Sequence, residues 1–248
     1  KHLIFHTLRY KKFIEEAFDC EYRLSTLVDN GKIKVVLPLV KVKSKLFGSK
    51  LISSAYLEYG GPSGDEKYVS KIIDSIKKSE KLKRDYNYLE IRGGLEEFDT
   101  VLSSKLIKKN LYKRFVLELN EREEVWRNIQ KSKRKAIKKA LRDIEIKEVP
   151  DSDIDMFYDL YCKNMRRFGS PPYAKKYFKS FYGNIVSAGM GKIYGAYYHG
   201  KLISALLGFT YQDRVHILIA VFNQKYQMYR PNDAVHWKFI EWACNSGF

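Results

Sequence analysis

The spacing of apolar residues in the second half of the chain predicts helices and a strand meander. Residues 123–143 carry apolar side chains three, four and seven positions apart, which is typical of one amphipathic helix. Three later apolar runs, separated by turn residues, predict consecutive strands. The predicted strands of this half are residues 115–119, 144–149, 191–198, 202–211 and 215–222, and its other helices are residues 152–168, 173–186 and 233–245.

The first half of the chain also combines predicted strands and helices. Two apolar runs on either side of Asn30-Gly31 predict a β-hairpin, because this dipeptide suits the tight turn that joins two strands. A third extended run ends in Gly60-Gly61-Pro62, which indicates a turn. The predicted strands of this half are residues 22–28, 33–42, 51–59 and 88–91, and the predicted helices are residues 6–18, 69–82 and 96–108.

Hairpins and meanders that alternate with segregated helices favour an α+β fold over a doubly wound parallel sheet. A length of 248 residues suits one large domain or two of ordinary size. We therefore predict two domains, over residues 1–112 and 113–248. The three cysteines are widely spaced and no histidine has a metal-ligand partner at a typical spacing, so neither a disulfide framework nor a metal site is expected.

The charge balance indicates an anionic partner. The chain has 46 basic and 29 acidic residues, and both halves are basic. This excess predicts attraction to nucleic acid, nucleotide-linked substrates or anionic lipid surfaces, and it does not bear on the fold. No apolar run is long enough for a membrane-spanning helix and no signal peptide is evident, so a cytoplasmic location is expected.

Eight basic residues and no acidic one occur between residues 127 and 142. On a helix with an apolar opposite face they would form one cationic surface that tracks phosphates. The alternative is a solvated face of a lysine-rich protein. The candidate RNA- or polyanion-binding residues are Lys131, Lys133, Arg134, Lys135, Lys138 and Lys139.

Three further positions are candidates for chemistry. Arg167 ends a predicted helix, where it either complements the helix dipole or grips a phosphate or carboxylate. Arg230 and Asn232 stand at the start of the final helix, whose amides attract anions, although the run 223–234 lacks the glycines of a pyrophosphate loop. His216 on a predicted strand is either a general base or a packed side chain.

Taken together, several short motifs make the chain resemble the FemAB family. The motifs cover nearly all of the chain and are loose individually, while their order and spacing are more specific. They are Phe5-His6, Val36-Leu37-Pro38-Leu39, Lys43-Ser44-Lys45-Leu46-Phe47-Gly48, Glu58-Tyr59-Gly60-Gly61-Pro62, residues 133–142 and 164–171, Arg230-Pro231-Asn232-Asp233-Ala234 and Ile240-Glu241-Trp242-Ala243. The most similar branch is the FemAB-like group associated with exopolysaccharide and PEP-CTERM loci.

The resemblance implies two acetyltransferase-like (GNAT) domains and transfer of an aminoacyl group from aminoacyl-tRNA to a cell-envelope precursor. It implies that Lys12 and Arg167 contact the phosphates of a nucleotide- or lipid-linked acceptor. The family has an aromatic pair near 217–219, where this chain has Ile217 and Ile219, and this departure argues against a peptidoglycan precursor as the acceptor. The family also continues past the final helix into a glycine-bearing strand, and we expect that strand to lie beyond Phe248.

Three functions remain open from the sequence. The first is an aminoacyltransferase that uses aminoacyl-tRNA, with no bound cofactor and with peripheral contact to an anionic membrane. The second is an N-acyltransferase that uses acyl-CoA, which predicts a glycine-bearing turn after the strand at 215–222. The third is a non-catalytic protein that binds nucleic acid or another polyanion, whose binding would weaken steeply with salt.

Overall fold

The computed structural model describes residues 2–44, 48–57, 59–80, 84, 86–93, 98–111, 113 and 115–248. The chain forms two compact units, Lys1–Phe115 and Val116–Phe248. The domain bounds expected from the sequence stay a prediction, since residues 112 and 114 at the junction lie outside the described part.

Unit 1 is a five-stranded mixed sheet with helices. Strands β1 and β2 are antiparallel and joined at Asn30-Gly31, whose φ angles of 49° and 71° match the predicted hairpin turn. The strand order is β1-β2-β3-β5, with β4 paired to β2 and β3 parallel to β5. The elements are α1 Leu8–Phe18, β1 Tyr22–Asp29, β2 Lys32–Ser44, β3 Gly48–Ile52, β4 Ser63–Gly64, α2 Glu66–Lys78, β5 Tyr88–Glu90 and α3 Asp99–Ser103.

Helices cover both faces of the unit 1 sheet. Leu37 and Leu51 lie in one apolar cluster with Ile72 of α2 and Leu102 of α3. The opposite face carries Tyr22, whose ring lies 5.7 Å from the ring of Tyr10 on α1. Alternate side chains of a strand point to opposite faces, so this sheet buries both sides between helices.

Unit 2 is a four-stranded antiparallel sheet in the order β6-β7-β8-β9. Short turns join β7 to β8 and β8 to β9, as the meander in the sequence predicts. The elements are α4 Arg122–Asn128, α5 Lys131–Asp143, β6 Glu145–Glu148, α6 Ile154–Phe168, α7 Lys175–Phe181, β7 Gly191–Tyr198, β8 Lys201–Tyr211, β9 Arg214–Phe222 and α8 Pro231–Asn245. Three further short helices are Asp151–Asp153 and Gln224–Tyr229, which are 3-10 turns, and Tyr182–Val186, which is a π-turn.

The unit 2 sheet also has helices on both faces. The ring of Phe209 on β8 lies 5.3 Å from that of Phe181 on α7. The neighbouring residue Gly208 faces the opposite side of the sheet, where an added Cβ would lie 2.7 Å from Cζ of Phe239 on α8. Helices α5 and α8 therefore share one face of the sheet, and α7 covers the other.

Several element predictions were wrong in detail. The helix expected over residues 123–143 is two helices, because Ile129 and Gln130 are extended, with ψ angles of 137° and 136°. The helix expected over 173–186 begins at Lys175 and gives way to the π-turn after Phe181. The strand expected over residues 115–119 does not form, and Phe115 is 96% exposed.

The first half of the chain departs from prediction at two places. The strand expected over residues 51–59 ends at Ile52, and residue 58 lies outside the described part. After Ile52 the chain enters a turn whose buried Ser53 and Ser54 bond the main chain of Arg92 and Gly60 at 2.8 and 2.9 Å. Of the helix expected over 96–108, the described helical part is α3.

The predicted fold class is confirmed. Each unit has one sheet flanked by helices, and the chain as a whole is α+β with no doubly wound parallel arrangement in the part that the structure describes. Within the same residues, no helix has the length and apolar character needed to cross a membrane.

Gly208→Ala tests the close approach of α8 to the sheet. The added methyl group would meet Phe239 and the carbonyl oxygen of His216 at 2.7 and 2.8 Å. We expect the free energy of unfolding to fall by about 1–3 kcal/mol, which is typical of overpacking. Gly183→Ala is the control, since nothing lies within 4 Å of its Cβ position. Equal stability of the two variants in urea denaturation would contradict the packing described here.

Candidate functional site

Arg167 lies in the last turn of α6 with its guanidinium beside two aromatic rings. The guanidinium carbon is 4.5 Å from the centre of the Phe168 ring and 5.0 Å from that of Phe222, at the end of β9. Arg167 is exposed and makes no ion pair with a described residue. The rings contact the guanidinium by cation–π interaction, and because the side chain is exposed its N–H groups can reach an anion.

The buried amide of Asn164 ties Arg167 and α6 to the end of β9. Its Nδ2 donates to the carbonyl oxygens of Leu160 at 2.8 Å and Phe222 at 3.0 Å. Its Oδ1 accepts from the backbone N–H of Phe222 at 3.3 Å and lies 3.5 Å from Nη2 of Arg167. Asn164 is 4% exposed, so these bonds satisfy a polar side chain that water does not reach.

The connection from β9 to α8 is a 3-10 turn without glycine, as the sequence indicates. Arg230 ends the turn in the left-handed conformation, with φ of 57°, and its Nε donates to Oδ2 of Asp233 at 2.7 Å. Lys133 of α5 binds the other oxygen of Asp233 at 2.9 Å. A carboxylate in the first turn of a helix already complements the positive end of its dipole. The start of α8 is therefore occupied by the chain's own anion, and Arg230 and Lys133 are engaged with it.

Asn232 and His236 form a second polar feature on α8. The ring Nδ1 of His236 donates to the carbonyl oxygen of Asn232 at 2.7 Å, and burial lowers the pKa of His236. The imidazole is therefore neutral near pH 7, with its proton held on Nδ1. Oδ1 of Asn232 is buried and has no hydrogen-bond partner among the described residues.

Arg134 has a structural position within the basic helix. Its Nη1 donates to the carbonyl oxygens of Trp126, at 3.4 Å, of Ile129, at 2.7 Å, and of Arg127. These carbonyls belong to the end of α4, where the helical N–H donors run out; the Trp126 carbonyl also accepts the backbone N–H of Ile129 at 3.3 Å. Arg134 thus caps the first helix and holds it against the second.

Five other cations of α5 lie on one side of the helix. At about 100° of rotation per residue, they fall within an arc of about 100°. None makes an ion pair with a described residue, and all are exposed. We call this set the cationic stripe; it consists of Lys131, Lys135, Lys138, Lys139 and Arg142. The structure therefore separates the predicted basic surface into this stripe and two engaged residues, Lys133 and Arg134.

Lys12 and His216 are placed as follows. Lys12 is exposed on α1 in unit 1, and its Nζ is 3.8 Å from Glu16, an i,i+4 pair of the weak surface type. The neighbouring Lys11 is held by Glu15 and the carbonyl oxygen of Tyr22. His216 is half-buried on β9 with its ring 6.2 Å from that of Phe209.

Two grooves of unit 2 are lined by other residues. One, of about 810 Å³, lies beside the end of α8 and is bordered by Glu121, Glu123 and Glu124. The other, of about 400 Å³, is bordered by Asp151, Asp155 and Lys179. In the described part of the chain, no group of three or more His, Cys, Asp and Glu side chains is placed to hold a metal ion.

Sequence reasoning missed the side chains that hold the site residues. Asn164 precedes Arg167 by three positions, which puts both on one helix face, but its buried bonds join it to a strand 58 positions away. Phe222 is one of many aromatic residues, and only its place at the end of β9 brings it under the guanidinium. The asparagine–arginine spacing on one helix was the one local signal.

Comparison with known proteins gives a family and two related folds. A family model described as an acetyltransferase (GNAT) domain matches residues 125–248. FemX, in its crystal structure, is 13% identical with a TM-score of 0.72, over 99% of this chain and 81% of that chain. The C-terminal domain (DUF2156) of a protein described as a lysylphosphatidylglycerol synthetase from Agrobacterium fabrum is 10% identical with a TM-score of 0.57, over 96% of this chain and 70% of that chain.

At these identities the two structures show a common fold. The resemblance to FemAB enzymes is confirmed at that level, since the fold of FemX extends over nearly the whole chain. Among curated protein sequences none matches the chain.

Arg134→Met tests the division between capping and exposed cations. The carbonyl oxygens of Arg127 and Ile129 would lose the donor that Arg134 supplies, so we expect the free energy of unfolding to fall by about 1–3 kcal/mol. Lys135→Met is the matched control, because Lys135 is exposed and we expect a change within about 0.5 kcal/mol. Chemical denaturation measures the stability of both variants. If Lys135→Met lost as much stability as Arg134→Met, the capping role of Arg134 would be contradicted.

Proposed function

The chain belongs to the family of acetyltransferase (GNAT) domains, and we propose that it transfers an aminoacyl group from aminoacyl-tRNA to an amine of a phosphate-bearing acceptor. Acyl transfer is the activity of the family. The donor and the acceptor are the proposal, and the cationic stripe on α5 is the observation that carries it.

The stripe suits an RNA donor in length and in charge. From Lys131 to Arg142 it extends about 16 Å along the helix, at 1.5 Å per residue. Its five cations have no carboxylate partners in the described part of the chain, so they are free to neutralise successive phosphates. A small acyl-thioester donor would not need a cationic surface of this length.

The start of α8 argues against an acyl-CoA donor. A pyrophosphate bound at a helix N-terminus needs open amides and close approach of the backbone. Here Asp233, Arg230 and Lys133 form a closed ion-pair group at that place, and the preceding turn contains no glycine. The description of the family as acetyltransferases is what favours acyl-CoA, so that donor is the second candidate.

The acceptor is proposed from Arg167. Its exposed guanidinium, oriented by two rings and Asn164, is suited to bidentate contact with a phosphate. Lys12 is proposed as a second phosphate contact in unit 1. The synthetase with the related fold is named for a phospholipid product, which supports a lipid-linked acceptor beside a nucleotide-linked one, with peripheral contact to an anionic membrane.

The proposed reaction needs little acid–base chemistry from the protein. The acceptor amine nitrogen attacks the ester carbonyl, the ester C–O bond breaks, and the proton released by the amine passes to the 3′-oxygen of the ribose. An aminoacyl ester is already activated, so orientation of the two substrates supplies most of the rate. His216 is the weak candidate for a base; no catalytic residue is assigned beyond it.

The donor is tested by following labelled amino acids from a pool of aminoacyl-tRNAs into an extract of nucleotide- and lipid-linked acceptors. Transfer that stops after RNase treatment of the donor is the expected result. Turnover with acyl-CoA in place of aminoacyl-tRNA would establish the second candidate instead. RNA binding without turnover on either donor would favour the non-catalytic polyanion-binding protein.

Arg167→Ala is expected to weaken acceptor binding by about 10- to 100-fold, since a charge-assisted hydrogen bond contributes about 1.5–3 kcal/mol. The effect should appear in KM for the acceptor rather than in KM for the donor. Arg166→Ala is the matched control, one position away and also exposed. Lys12→Ala is measured in the same way. Unchanged acceptor binding in both Lys12→Ala and Arg167→Ala would rule out the phosphate contacts.

Removing charges from the stripe should change the salt dependence of RNA binding. The slope of log K against log salt falls by about 0.7–0.9 for each phosphate that the protein no longer neutralises. We expect the variant Lys135→Gln with Lys138→Gln to show roughly twice that reduction. The control carries Lys163→Gln with Lys179→Gln, two exposed lysines on α6 and α7. A control slope as low as that of the stripe variant would mean that only net charge matters.

A further inference from the structure

Three tyrosine rings form a cluster beside the C-terminal end of α5. Tyr198 ends β7, and Tyr226 and Tyr229 lie in the 3-10 turn after β9. The ring centre of Tyr198 is 4.6 Å from that of Tyr229 and 5.8 Å from that of Tyr226. All three are half-buried, so each ring presents part of its surface to solvent.

The cluster is held in place by polar as well as apolar contacts. The hydroxyl oxygens of Tyr198 and Tyr229 are 3.0 Å apart, and this hydrogen bond is the main cause that raises the pKa of Tyr198. Nζ of Lys201 lies 5.7 Å from the centre of the Tyr226 ring. Two rings are thus fixed to each other, and the third carries a cation beside its face.

The cluster borders the cationic stripe. The rings pack against the apolar cluster of unit 2 that includes Ala140 and Ile144, at the end of α5. Tyr198 also lies near enough to Asp143 to be affected by its charge. Helix α5 contacts the 3-10 turn that carries Tyr226 and Tyr229. By helical rotation Asp143 and Lys139 are about 40° apart, so Lys139 is the stripe cation whose direction is nearest to that of Asp143.

Proteins that bind single-stranded nucleic acid combine a cationic surface with aromatic rings beside it. The cations follow the phosphates, and unpaired bases stack on the rings. Bases inside a duplex already stack on their neighbours and present no free face. A cationic stripe alone would bind duplex and single strand alike, whereas a stripe that ends in exposed rings favours the unpaired strand.

We propose that the cluster of Tyr198, Tyr226 and Tyr229 is a base-stacking site for an unpaired nucleotide of RNA bound along the stripe, with Tyr226 as the principal contact. This inference rests on the proposed RNA donor. It adds that the bound RNA is unpaired beside the cluster and that one of its bases stacks on a particular ring. Tyr226 is the principal contact because its ring centre lies 5.8 and 6.4 Å from those of Tyr198 and Tyr229, which are only 4.6 Å apart and bonded to each other. Lys201, whose Nζ is 5.7 Å from the Tyr226 ring centre, can meet the phosphate of the stacked nucleotide.

The test compares two RNA probes on the full chain at one salt concentration. The probes are a short unpaired RNA oligonucleotide and a blunt RNA duplex of equal length, both labelled for fluorescence anisotropy. Tyr226→Leu is expected to weaken binding of the unpaired RNA by about 5- to 100-fold, the range for removal of one stacked base. Binding of the duplex should stay the same, and Tyr226→Phe should retain wild-type affinity because the ring remains.

A matched tyrosine exists on α6. Tyr158 is half-buried, and Nζ of Lys175 lies 5.8 Å from its ring centre. Tyr158→Leu should change neither affinity. The stacking site is overturned if Tyr226→Leu leaves binding of the unpaired RNA unchanged, or weakens both probes equally. Failure of the wild-type chain to bind either RNA would instead overturn the RNA donor, and the stacking site with it.

Discussion

The second unit depends on one buried amide at the end of its last strand. Asn164 bonds both the N–H and the carbonyl of Phe222, and so fixes where β9 stops relative to α6. That stopping point sets the start of the 3-10 turn, the direction of α8 and the ring on which Arg167 rests. An apolar side chain would fill the space but leave two main-chain groups of the strand end unbonded, so the position requires an amide.

The net charge does not show which cations of this protein are available to bind an anion; their hydrogen bonds and ion pairs do. Of the basic residues in and around α5, Arg134 bonds carbonyls and Lys133 bonds the carboxylate at the start of α8, and both join helices together. The cations left over lie on the outward side of the same helix. One basic run in the sequence therefore supplies both cations that join helices and cations that face solvent, and only the contacts in the structure tell them apart.

The sequence was informative where local chemistry decides structure. Asn30-Gly31 formed the predicted hairpin, and the meander of β7, β8 and β9 followed from short apolar runs between turns. It failed at the break between α4 and α5, where Arg134 bonds main-chain carbonyls five to eight positions earlier, because the periodicity of apolar residues does not reveal such a bond. For the site, Arg167 could be singled out by its helix end and family resemblance, but the asparagine and rings that orient it are set by tertiary contacts.

The left-handed backbone at Arg230 limits which residues can stand between the 3-10 turn and α8. A side chain in that conformation is strained by about 1–2 kcal/mol, a strain that glycine would not carry. Here Arg230 makes an ion pair with Asp233, which offsets part of the strain. Replacement of Arg230 by glycine would relieve the backbone strain and leave Asp233 with Lys133 as its remaining cation, so the gain and the loss oppose each other.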